Sequence, residues 1–598
     1  MRCCSKPLAA AAVLLACVLA PKLASANTIT FTLTDEPARW FKSQAGPIAG
    51  THSLAVATPG VTVNFVGGSH TVHTMSSLIF PSSAPDMPFD TEATKGRRSV
   101  KLTTPGLYVF VCKIHPYMLG AVIVDDPATA GLDLGEAVSL FHGPTVPTSS
   151  DLATRLLRAF FIITNPDNWQ DFSKPGPWHI TYPSVDVRIT GGAVANLKAV
   201  LDARYGNDTP LPPLFNPAVT GVGEVWVNTQ YELTAGKTKP GTATSVNART
   251  WRVDRKVALP KVNLNNPHNM WTDRDQRLIY TTQWFDTRLT VFERASGRLV
   301  RDIEVGEAPG HVMTRVDTDE VHVTINGSGS VKSVLELSPE AKKIERRLDI
   351  SRPHPHAHWM SHDGRLMVTP NMFTADSSIY DFTRDRARVA RAGALPIATG
   401  MMPDASKYYV ANFLDSSLTV IDTKSGLVMK SIDLLANYDP IGGTVTGPIG
   451  GLPIQTPVSP DGRAIVTGNT LTATITIVDP QTDTLVKSLP CDAGCHGVNF
   501  GAKRGGGYYA YVTSKFANTL LVVDIDPNND GNIADADVVG RVLLGPREGM
   551  CADDKVSGLP GMGGQGILAV PVVYNGWVQK LPGYWKNQLT RRQRQPYP

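Results

Sequence analysis

A thiol, an imidazole and a thioether lie close together in the sequence, as Cys112, His115 and Met118. They follow the β-branched and aromatic run 107–111, so they are expected at the end of a strand and in the loop after it. Soft thiolate and thioether ligands, together with imidazoles, suit copper that alternates between Cu(I) and Cu(II). The spacing predicts a mononuclear type 1 (blue) copper site, which needs a second imidazole from an earlier strand.

Two upstream histidines could supply that imidazole. His70 and His73 lie three residues apart, shortly after the alternating segment 61–65. Side chains three apart on a strand point to opposite faces, so only one of them is expected to face the copper. The spacing leaves open which one it is.

The loop Cys-x-x-His-Pro-x-Met-x-Gly at 112–120 resembles that of the amicyanins. His-x-Val at 70–72 resembles the first-ligand motif of the plastocyanin and pseudoazurin families. The resemblance covers residues 27–126 and implies a Greek-key cupredoxin sandwich that carries out outer-sphere electron transfer. It also implies that His70 is the fourth copper ligand and that His73 lies beside the site or on the surface.

The chain repeats itself from about residue 221, with a period of roughly 40 to 55 residues that is typical of β-propeller blades. In each repeat a β-rich stretch ends in a polar residue, and the version Tyr-Val-Ala-Asn at 409–412 resembles the YVTN-type propeller family. Seven occurrences predict a seven-bladed β-propeller, closed by a strand over 566–578. The polar residues are Gln230, Gln283, Asn326, Asn371, Asn412, Asn469 and Lys515.

Histidines recur at one position of this repeat, fifteen residues before the polar residue. The position is Ile in two blades, and in the first blade it falls on Phe215. Entrances to the inner strands surround the axis of a propeller, where several neutral imidazoles could bind copper, zinc or iron. The alternative is that these are hydrogen-bonded structural histidines whose shared register reflects the ancestry of the repeats. The predicted centre consists of His268, His311, His356, His358, which lies two residues further on, and His496, which aligns once an insertion at 504–507 is allowed.

Three motifs around these histidines resemble nitrous oxide reductase and thiocyanate dehydrogenase, which are propellers with a multinuclear copper cluster. The motifs are Pro-His-Asn-Met at 267–270, Gly-His-Val-Met at 310–313 and Pro-His-Ala-His-Trp at 355–359. The resemblance implies additional copper in the propeller. This chain differs from the reductase in domain order, in its mononuclear ligand set and in having fewer ring histidines, so neither the number of metal ions nor the reaction is fixed.

A further motif matches a calcium loop, with oxygen ligands at alternate residues and a glycine at the sharp turn. A solvated Asn/Asp turn is an equal alternative. The predicted calcium ligands are Asp526, Asn528, Asp530, Asn532 and Asp537.

Cysteine placement predicts a disulfide near the last blade. Cys491 and Cys495 flank a short turn before His496, and they are expected either to pair with each other or to pair one of them with Cys551. Glu224, Arg504 and Lys515 are candidate charged residues for the propeller funnel.

Four segments are expected along the chain. Residues 1–26 have the basic start, apolar run and Ala-Ser-Ala end of a signal peptide cleaved after Ala26, which indicates a periplasmic or secreted protein. The cupredoxin domain at 27–126 is followed by a connector at 127–217 with helices over 151–161 and 196–205, and by the propeller at 218–598. No other apolar run approaches a membrane span. A net charge of +4 without basic runs excludes nucleic acid as a partner.

These features together predict an all-β protein that acts as a periplasmic copper oxidoreductase. A small-molecule substrate would react at the histidine-bound copper, and electrons would pass through the type 1 site to or from a redox partner such as a cytochrome c. The alternative is a non-enzymatic blue-copper electron-transfer protein whose propeller is a scaffold for binding a partner. A d1-type haem in the funnel is a third reading, for which no axial ligand stands out.

Overall fold

The computed structural model describes residues 28–43, 48, 51–67, 70–85, 89–172, 174, 176–234, 241–259, 264–545 and 556–597. The expected signal peptide and Cys551 lie outside the described residues. The described part is an all-β protein with a few short helices. None of the helices in these ranges is both long enough and apolar enough to cross a membrane.

Two sheets with a shared aromatic core form the N-terminal region. One has four strands in the order β2-β1-β4-β6, and the other has six in the order β11-β10-β5-β7-β8-β3. Alternate residues of β1 are buried, and Phe31 stacks on Phe65, which in turn meets Phe110 of the other sheet with ring centroids 4.9 Å apart. The strands are β1 (Thr28–Leu33), β2 (Phe41–Ser43), β3 (Leu54–Ala57), β4 (Val61–Gly67), β5 (Ser76–Pro81), β6 (Arg97–Leu102), β7 (Gly106–Val111), β8 (Leu119–Val124), β9 (Leu132–Asp133), β10 (Ala137–Leu140) and β11 (Thr145–Pro147).

The connector contains both expected helices. Helix α1 (Asp151–Thr164) begins at Ser150, whose hydroxyl accepts a hydrogen bond from the backbone N–H of Ala153. Helix α2 (Leu197–Tyr205) is capped by Asn196 and ends at a glycine. Strands β12 (Asp186–Arg188) and β13 (Val194–Asn196) join β9 in a small sheet.

Seven four-stranded antiparallel sheets occupy the described residues between 224 and 570, which is consistent with the blades of a propeller. The strands are β14 (Glu224–Thr234), β15 (Thr242–Asn247), β16 (Arg252–Val257), β17 (Pro267–Thr272), β18 (Leu278–Gln283), β19 (Arg288–Glu293), β20 (Leu299–Glu304), β21 (Pro309–Thr314), β22 (Val321–Ile325), β23 (Val334–Leu337), β24 (Ile344–Leu348), β25 (Trp359–Met360), β26 (Leu366–Asn371), β27 (Asp376–Asp381), β28 (Arg386–Arg391), β29 (Pro396–Met401), β30 (Lys407–Asn412), β31 (Ser417–Asp422), β32 (Val428–Asp433), β33 (Pro453–Gln455), β34 (Ile465–Asn469), β35 (Thr474–Asp479), β36 (Thr484–Pro490), β37 (Cys495–Ala502), β38 (Tyr508–Ser514), β39 (Thr519–Asp524), β40 (Asp537–Leu543) and β41 (Val556–Val570).

The sheets are arranged so that one strand of each belongs to an inner ring. Strands β17, β21, β25, β29, β33, β37 and β41 each contact the next, and β41 contacts β17 to close the ring. In the repeats at 267, 355, 396 and 453, a proline on or just before the inner strand pairs with the polar residue that marks the repeat, for example Pro267 with Gln283. The repeat offset seen in the sequence therefore corresponds to a common position beside the axis.

The first sheet departs from the sequence prediction in two ways. Its inner strand is β41, which pairs with β14 and ends at Val570, before Pro571, rather than running over 566–578. A proline has no backbone N–H with which to extend a strand. The second difference concerns Phe215, the residue that the repeat offset gives for the first sheet. Phe215 is exposed and bridges Arg541 of the outermost strand of the seventh sheet, so this prediction is wrong. The chain ends in two short helices, α3 (Gly583–Lys586) and α4 (Arg591–Arg594).

Candidate metal centres

Three of the described residues in the N-terminal region bring metal-binding atoms together. Cys112, His115 and His73 each offer one such atom, and these atoms lie within 4.8 Å of one another. The Cys112 Sγ lies 3.4 Å from Nδ1 of His115 and 3.8 Å from Nδ1 of His73. All three side chains are buried. A thiolate and two imidazoles that converge in this way form a donor set that fits copper.

The histidine from the earlier segment is His73, and the predicted ligand His70 does not reach the group. His70 is exposed, and its backbone N–H donates to a carboxylate oxygen of Asp35. His73 is fully buried and pairs with Thr94 through both backbone hydrogen bonds. The expectation that only one histidine faces the site holds, but the family motif selected the wrong one, because Asp35 anchors the turn at His70 and directs His73 inward.

Hydrogen bonds on the far side of both imidazoles turn Nδ1 toward the thiol. The Nε2 of His73 lies 3.3 Å from Oδ1 of Asp35, and Nε2 of His115 lies 3.4 Å from the carbonyl oxygen of Trp284. A carbonyl oxygen can only accept, so the proton of His115 is on Nε2 and Nδ1 is left for a metal. Such partners fix the ring orientation of histidine ligands.

The thiol and His73 are poised as an ion pair when no metal is present. Burial opposes ionisation of Cys112, but the imidazoles of His115 and His73 outweigh it and hold the pKa of the thiol well below its usual range. Burial also disfavours protonation of His73, yet the hydrogen bonds to Asp35 and Cys112 raise its pKa to about 9. Because the thiolate is the form that binds metal, the site is electrostatically prepared for a cation.

Met118 closes the loop that carries Cys112 and His115. Strands β7 and β8 pair up to Val111 opposite Leu119, so the loop joins two hydrogen-bonded neighbours. The backbone N–H of Cys112 donates to the carbonyl of Met118, and that of Met118 donates to the carbonyl of His115. The Met118 side chain is buried. Its role as the axial ligand stays a prediction.

A second group of imidazoles converges at the inner ring. His268 on β17, His311 on β21 and His356 just before β25 bring ring nitrogens within 4.8 Å of one another. Their ring centroids are 5.1 to 5.6 Å apart. These are three of the five histidines that the sequence placed in the propeller centre.

Backbone carbonyls orient two of these rings. Nδ1 of His268 lies 3.1 Å from the carbonyl oxygen of Gly310, and Nδ1 of His356 lies 2.5 Å from that of Ile397. Both Nδ1 atoms therefore carry the proton, and both Nε2 atoms have the lone pair that a metal needs. Burial, together with the neighbouring imidazoles, holds the pKa of His268 and His311 well below the usual range, so these rings are neutral.

The other two predicted histidines lie beside this group. His496, on β37, lines the same cavity as His268 and His356. His358 lies in an adjoining cavity with His311 and Met313, and neither of its ring nitrogens has a hydrogen-bond partner in the described structure. Burial lowers the pKa of His358 to about 3. Both are available to a larger centre but are outside the convergent group of three.

The two groups are separated by an aromatic pair that the sequence analysis did not identify, Trp284 and Phe285. The ring of His115 stacks on Phe285 with centroids 4.1 Å apart, and the ring of His268 stacks on Trp284 with centroids 4.0 Å apart. The pair immediately follows Gln283, the polar residue that marks the repeat. Because Gln283 marks the repeat, the two residues that follow it could have been predicted from the sequence to lie at the mouth of the funnel.

The cavity between the groups is small, and one buried amino group lines it. It has a volume of about 20 Å³, and Lys515 lines it. The Nζ of Lys515 lies 2.9 Å from Oε1 of Gln565 and 4.1 Å from the ring centroid of Tyr117, and burial holds its pKa well below the usual range. Of the other charged candidates, Glu224 pairs with Arg294 and Arg504 hydrogen-bonds through its backbone to Thr220, and neither lines this cavity.

Residues of the calcium motif form an acidic cluster, but the residues in it differ from the predicted ligands. Carboxylate oxygens of Asp526, Asp530 and Asp535 lie within 4.8 Å of one another. A single turn of 3-10 helix at 533–535 brings Asp535 back to the loop, while Asn532 caps that turn. Asp537 is exposed at the start of β40 and accepts a hydrogen bond from its neighbour Val538, and it lies outside this group of three.

Cys491 and Cys495, which precede His496, form a disulfide with each other, and this is one of the two expected pairings. The bridge spans the turn that leads into β37 and so restrains the start of the strand on which His496 lies. Cys112 is free and buried, as a metal ligand requires.

No family model matches the chain, and no curated protein matches it. Among solved structures, it resembles the Kuenenia stuttgartiensis hydrazine synthase at 18% identity, with a TM-score of 0.41 over 52% of this chain and 97% of that one. It also resembles a functionally unknown protein from Desulfotomaculum acetoxidans at 14% identity, with a TM-score of 0.39 over 58% of this chain and 98% of that one. These similarities are too low to bear on function.

Proposed function

We propose that the protein is a periplasmic copper-dependent oxidoreductase, in which an N-terminal cupredoxin domain is fused to a seven-bladed β-propeller. The type 1 site is formed by Cys112, His115, His73 and Met118, and a second copper centre is formed by His268, His311 and His356. Bound copper supplies one-electron chemistry. The observation that carries the proposal is the proximity of the two donor sets, which share one cavity lined by His115, His268 and His356.

The residues of the chain prepare both sites for this role. The carboxylate of Asp35 and the carbonyl of Trp284 orient the imidazoles of the first site, and the carbonyls of Gly310 and Ile397 orient those of the second. The side chains of His73, Cys112 and His115 in the first site, and of His268, His311 and His356 in the second, are buried. Lys515, with a depressed pKa and an amide partner, can hold or release a proton beside the second site.

A second candidate function is a non-enzymatic electron-transfer protein whose propeller-like region binds a partner. It is favoured by the size of the shared cavity, since about 20 Å³ accommodates a single water molecule. In that case His268, His311 and His356 are structural and hold no metal. In either case a soluble redox partner, such as a cytochrome c, exchanges electrons with the Cys112 site.

Copper analysis of the purified protein, combined with absorption spectroscopy, distinguishes the two functions. The oxidoreductase predicts more than one copper per chain, with the excess lost when His268 and His311 are both replaced by Ala. Loss of Cys112 by Cys112→Ser should remove the intense thiolate-to-copper band and leave the second centre occupied. One copper per chain, with an undiminished blue band in the double variant, contradicts the oxidoreductase and supports the carrier.

We also propose that Asp526, Asp530 and Asp535 bind calcium. One oxygen of Asp526 and one of Asp535 are buried without a hydrogen-bond partner in the described structure, which is costly for a carboxylate unless a cation compensates. Oxygen donors of this kind suit a hard cation. The loop lies in the seventh sheet, next to β39 and β40, so the ion would have a structural role.

A further inference from the structure

We propose that Trp284 and Phe285 are the electron-transfer bridge between the two metal centres. The proposal deepens the proposed function, because it requires both centres to hold copper. One electron passes from a reduced metal at the Cys112 site to an oxidised metal at the His268 group, or in the reverse direction. One site is oxidised and the other is reduced by one electron, and no bond forms or breaks.

Bonded or closely packed atoms connect the two centres through Trp284. Nε2 of His115 hydrogen-bonds to the carbonyl oxygen of Trp284 at 3.4 Å, which links the first site to the backbone of the bridge. From there the path is covalent to the indole, which lies parallel to the ring of His268, with an interplanar angle of 12° and centroids 4.0 Å apart. The rings of His356 and Trp284 are also in contact, in a T-shaped arrangement with centroids 5.1 Å apart. Electronic coupling decays less through bonds and tight contacts than across gaps, so this route should dominate.

Phe285, the second residue of the bridge, contacts the histidines of the first site. Its ring stacks on His115 at 4.1 Å and lies 6.2 Å from the ring of His73, so it packs against both imidazoles of the first site. Trp284 and Phe285 are adjacent in the chain, and both are almost fully buried. One dipeptide therefore touches ligands of both centres, which places the two sites at a fixed separation.

The competing contact across the cavity is less direct. Tyr117, on the Cys112 loop, approaches His496 with ring centroids 5.7 Å apart, but His496 is outside the convergent group of three histidines. A route through Tyr117 therefore leads to a histidine outside the convergent group.

The N-terminal region is held in the position that the bridge requires. Lys95 forms an ion pair with Glu307 in the loop before β21, and Lys113 lies over the ring of Phe373, 4.7 Å from its centroid. Both contacts join the N-terminal region to the propeller-like region that carries the aromatic pair. Transfer through Trp284 therefore needs no reorientation of one region against the other.

The test is intramolecular electron transfer in the copper-loaded full-length protein. A flash-generated reductant reduces the Cys112 site, and the return of its blue absorption reports transfer to the second centre. Trp284→Leu should slow this first-order phase by about tenfold or more, since it removes the stacked path. Trp284→Phe, which retains an aromatic ring, should give an intermediate rate. Trp359→Leu is the matched control, because it removes a large aromatic residue from the adjoining cavity without touching either bridge contact.

The outcomes separate failure of the bridge from failure of the proposed function. If the wild-type protein shows no intramolecular phase and holds no second copper, the proposed function is wrong. If it shows the phase and Trp284→Leu leaves the rate within about twofold of wild type, the bridge is wrong and the function stands. Copper content and the blue spectrum of each variant should equal those of wild type, which distinguishes lost coupling from a damaged site.

A second readout, tryptophan fluorescence, works without turnover. The fluorescence of Trp284, obtained as the difference between wild type and Trp284→Phe, should be quenched when Cu(II) occupies either centre alone. The single-centre proteins are Cys112→Ser and the double variant His268→Ala, His311→Ala. Quenching in only one of them would show that the indole is coupled to one site and would overturn the proposal.

Discussion

The carboxylate of Asp35 lies 3.3 Å from Nε2 of His73, on the side of the ring that faces away from Cys112. This carboxylate also accepts a hydrogen bond from the hydroxyl of Thr71 and from the backbone of His70. One side chain thus fixes both the orientation of the inner histidine and the turn that leaves the other histidine at the surface.

The first prediction concerns this carboxylate. Asp35→Ala should weaken copper binding at the Cys112 site by about 10- to 100-fold, because the imidazole loses the partner that orients it and increases its basicity. Competition with a chelator of known affinity measures the effect. The neighbouring Glu36→Ala is the control, since Glu36 is exposed and pairs only with Arg39 among the described residues. Equal affinities for the two variants would contradict the assigned role of Asp35.

The identity of the second imidazole is tested by a pair of substitutions. His73→Ala should abolish or strongly shift the thiolate-to-copper absorption, because it removes one of the two imidazoles from the trigonal plane. His70→Ala should leave the spectrum unchanged, because His70 is exposed and contributes its backbone N–H to Asp35. The opposite result would restore the family motif and overturn the assignment of His73 as a ligand.

Much of both candidate metal sites could be predicted from the sequence, for identifiable reasons. The loop from Cys112 to Met118 is short and local, and its candidate ligands follow a strand, so spacing alone brings them together. The ring histidines are distant in sequence, but repeats convert a constant offset into a constant place beside the axis. That offset is sufficient to align His268, His311 and His356.

The parts that could not be predicted depend on contacts between distant segments. Strand alternation shows that His70 and His73 diverge, but the choice between them is made by Asp35, from another strand end. Trp284 and Phe285 follow a marked repeat position, but their contacts with His115 form only where the N-terminal region docks on the propeller-like region, and no local pattern encodes docking. Asp535 joins the acidic cluster through one turn of 3-10 helix, which the calcium-loop motif does not contain.

We predict that replacing different ring histidines reduces copper binding at the second centre to different extents. Replacing His268 or His356 by Ala should remove the second centre, because each supplies an oriented Nε2. His358→Ala should lower its occupancy less, since His358 lies in the adjoining cavity outside the convergent group. Copper per chain, measured after dialysis against a weak chelator, compares the three variants. Loss of copper in His358→Ala equal to that in His268→Ala would show that the centre extends into the second cavity.

Calcium should stabilise the protein through the cluster in the seventh sheet. A ligand that binds only the folded state contributes about 2.7 kcal/mol at one hundred times its dissociation constant, which raises the thermal unfolding midpoint measurably. Asp526→Asn should remove the calcium-dependent increase in Tm, whereas Asp537→Ala should retain it. No increase in the wild-type protein at millimolar calcium would indicate a solvated turn without an ion.

The pairing of β14 with β41 has a consequence for the order in which the histidine group forms during folding. The inner ring is completed only by residues 556–570, which pair with a strand that begins far upstream, at Glu224. Gly566 lies so close to β17 that a Cβ there would overlap the carbonyl oxygen of His268, so this late strand presses directly against a ring histidine. The histidine group therefore reaches its final geometry only after β41 has paired with β14, so formation of the candidate centre depends on contact between two distant segments of the chain.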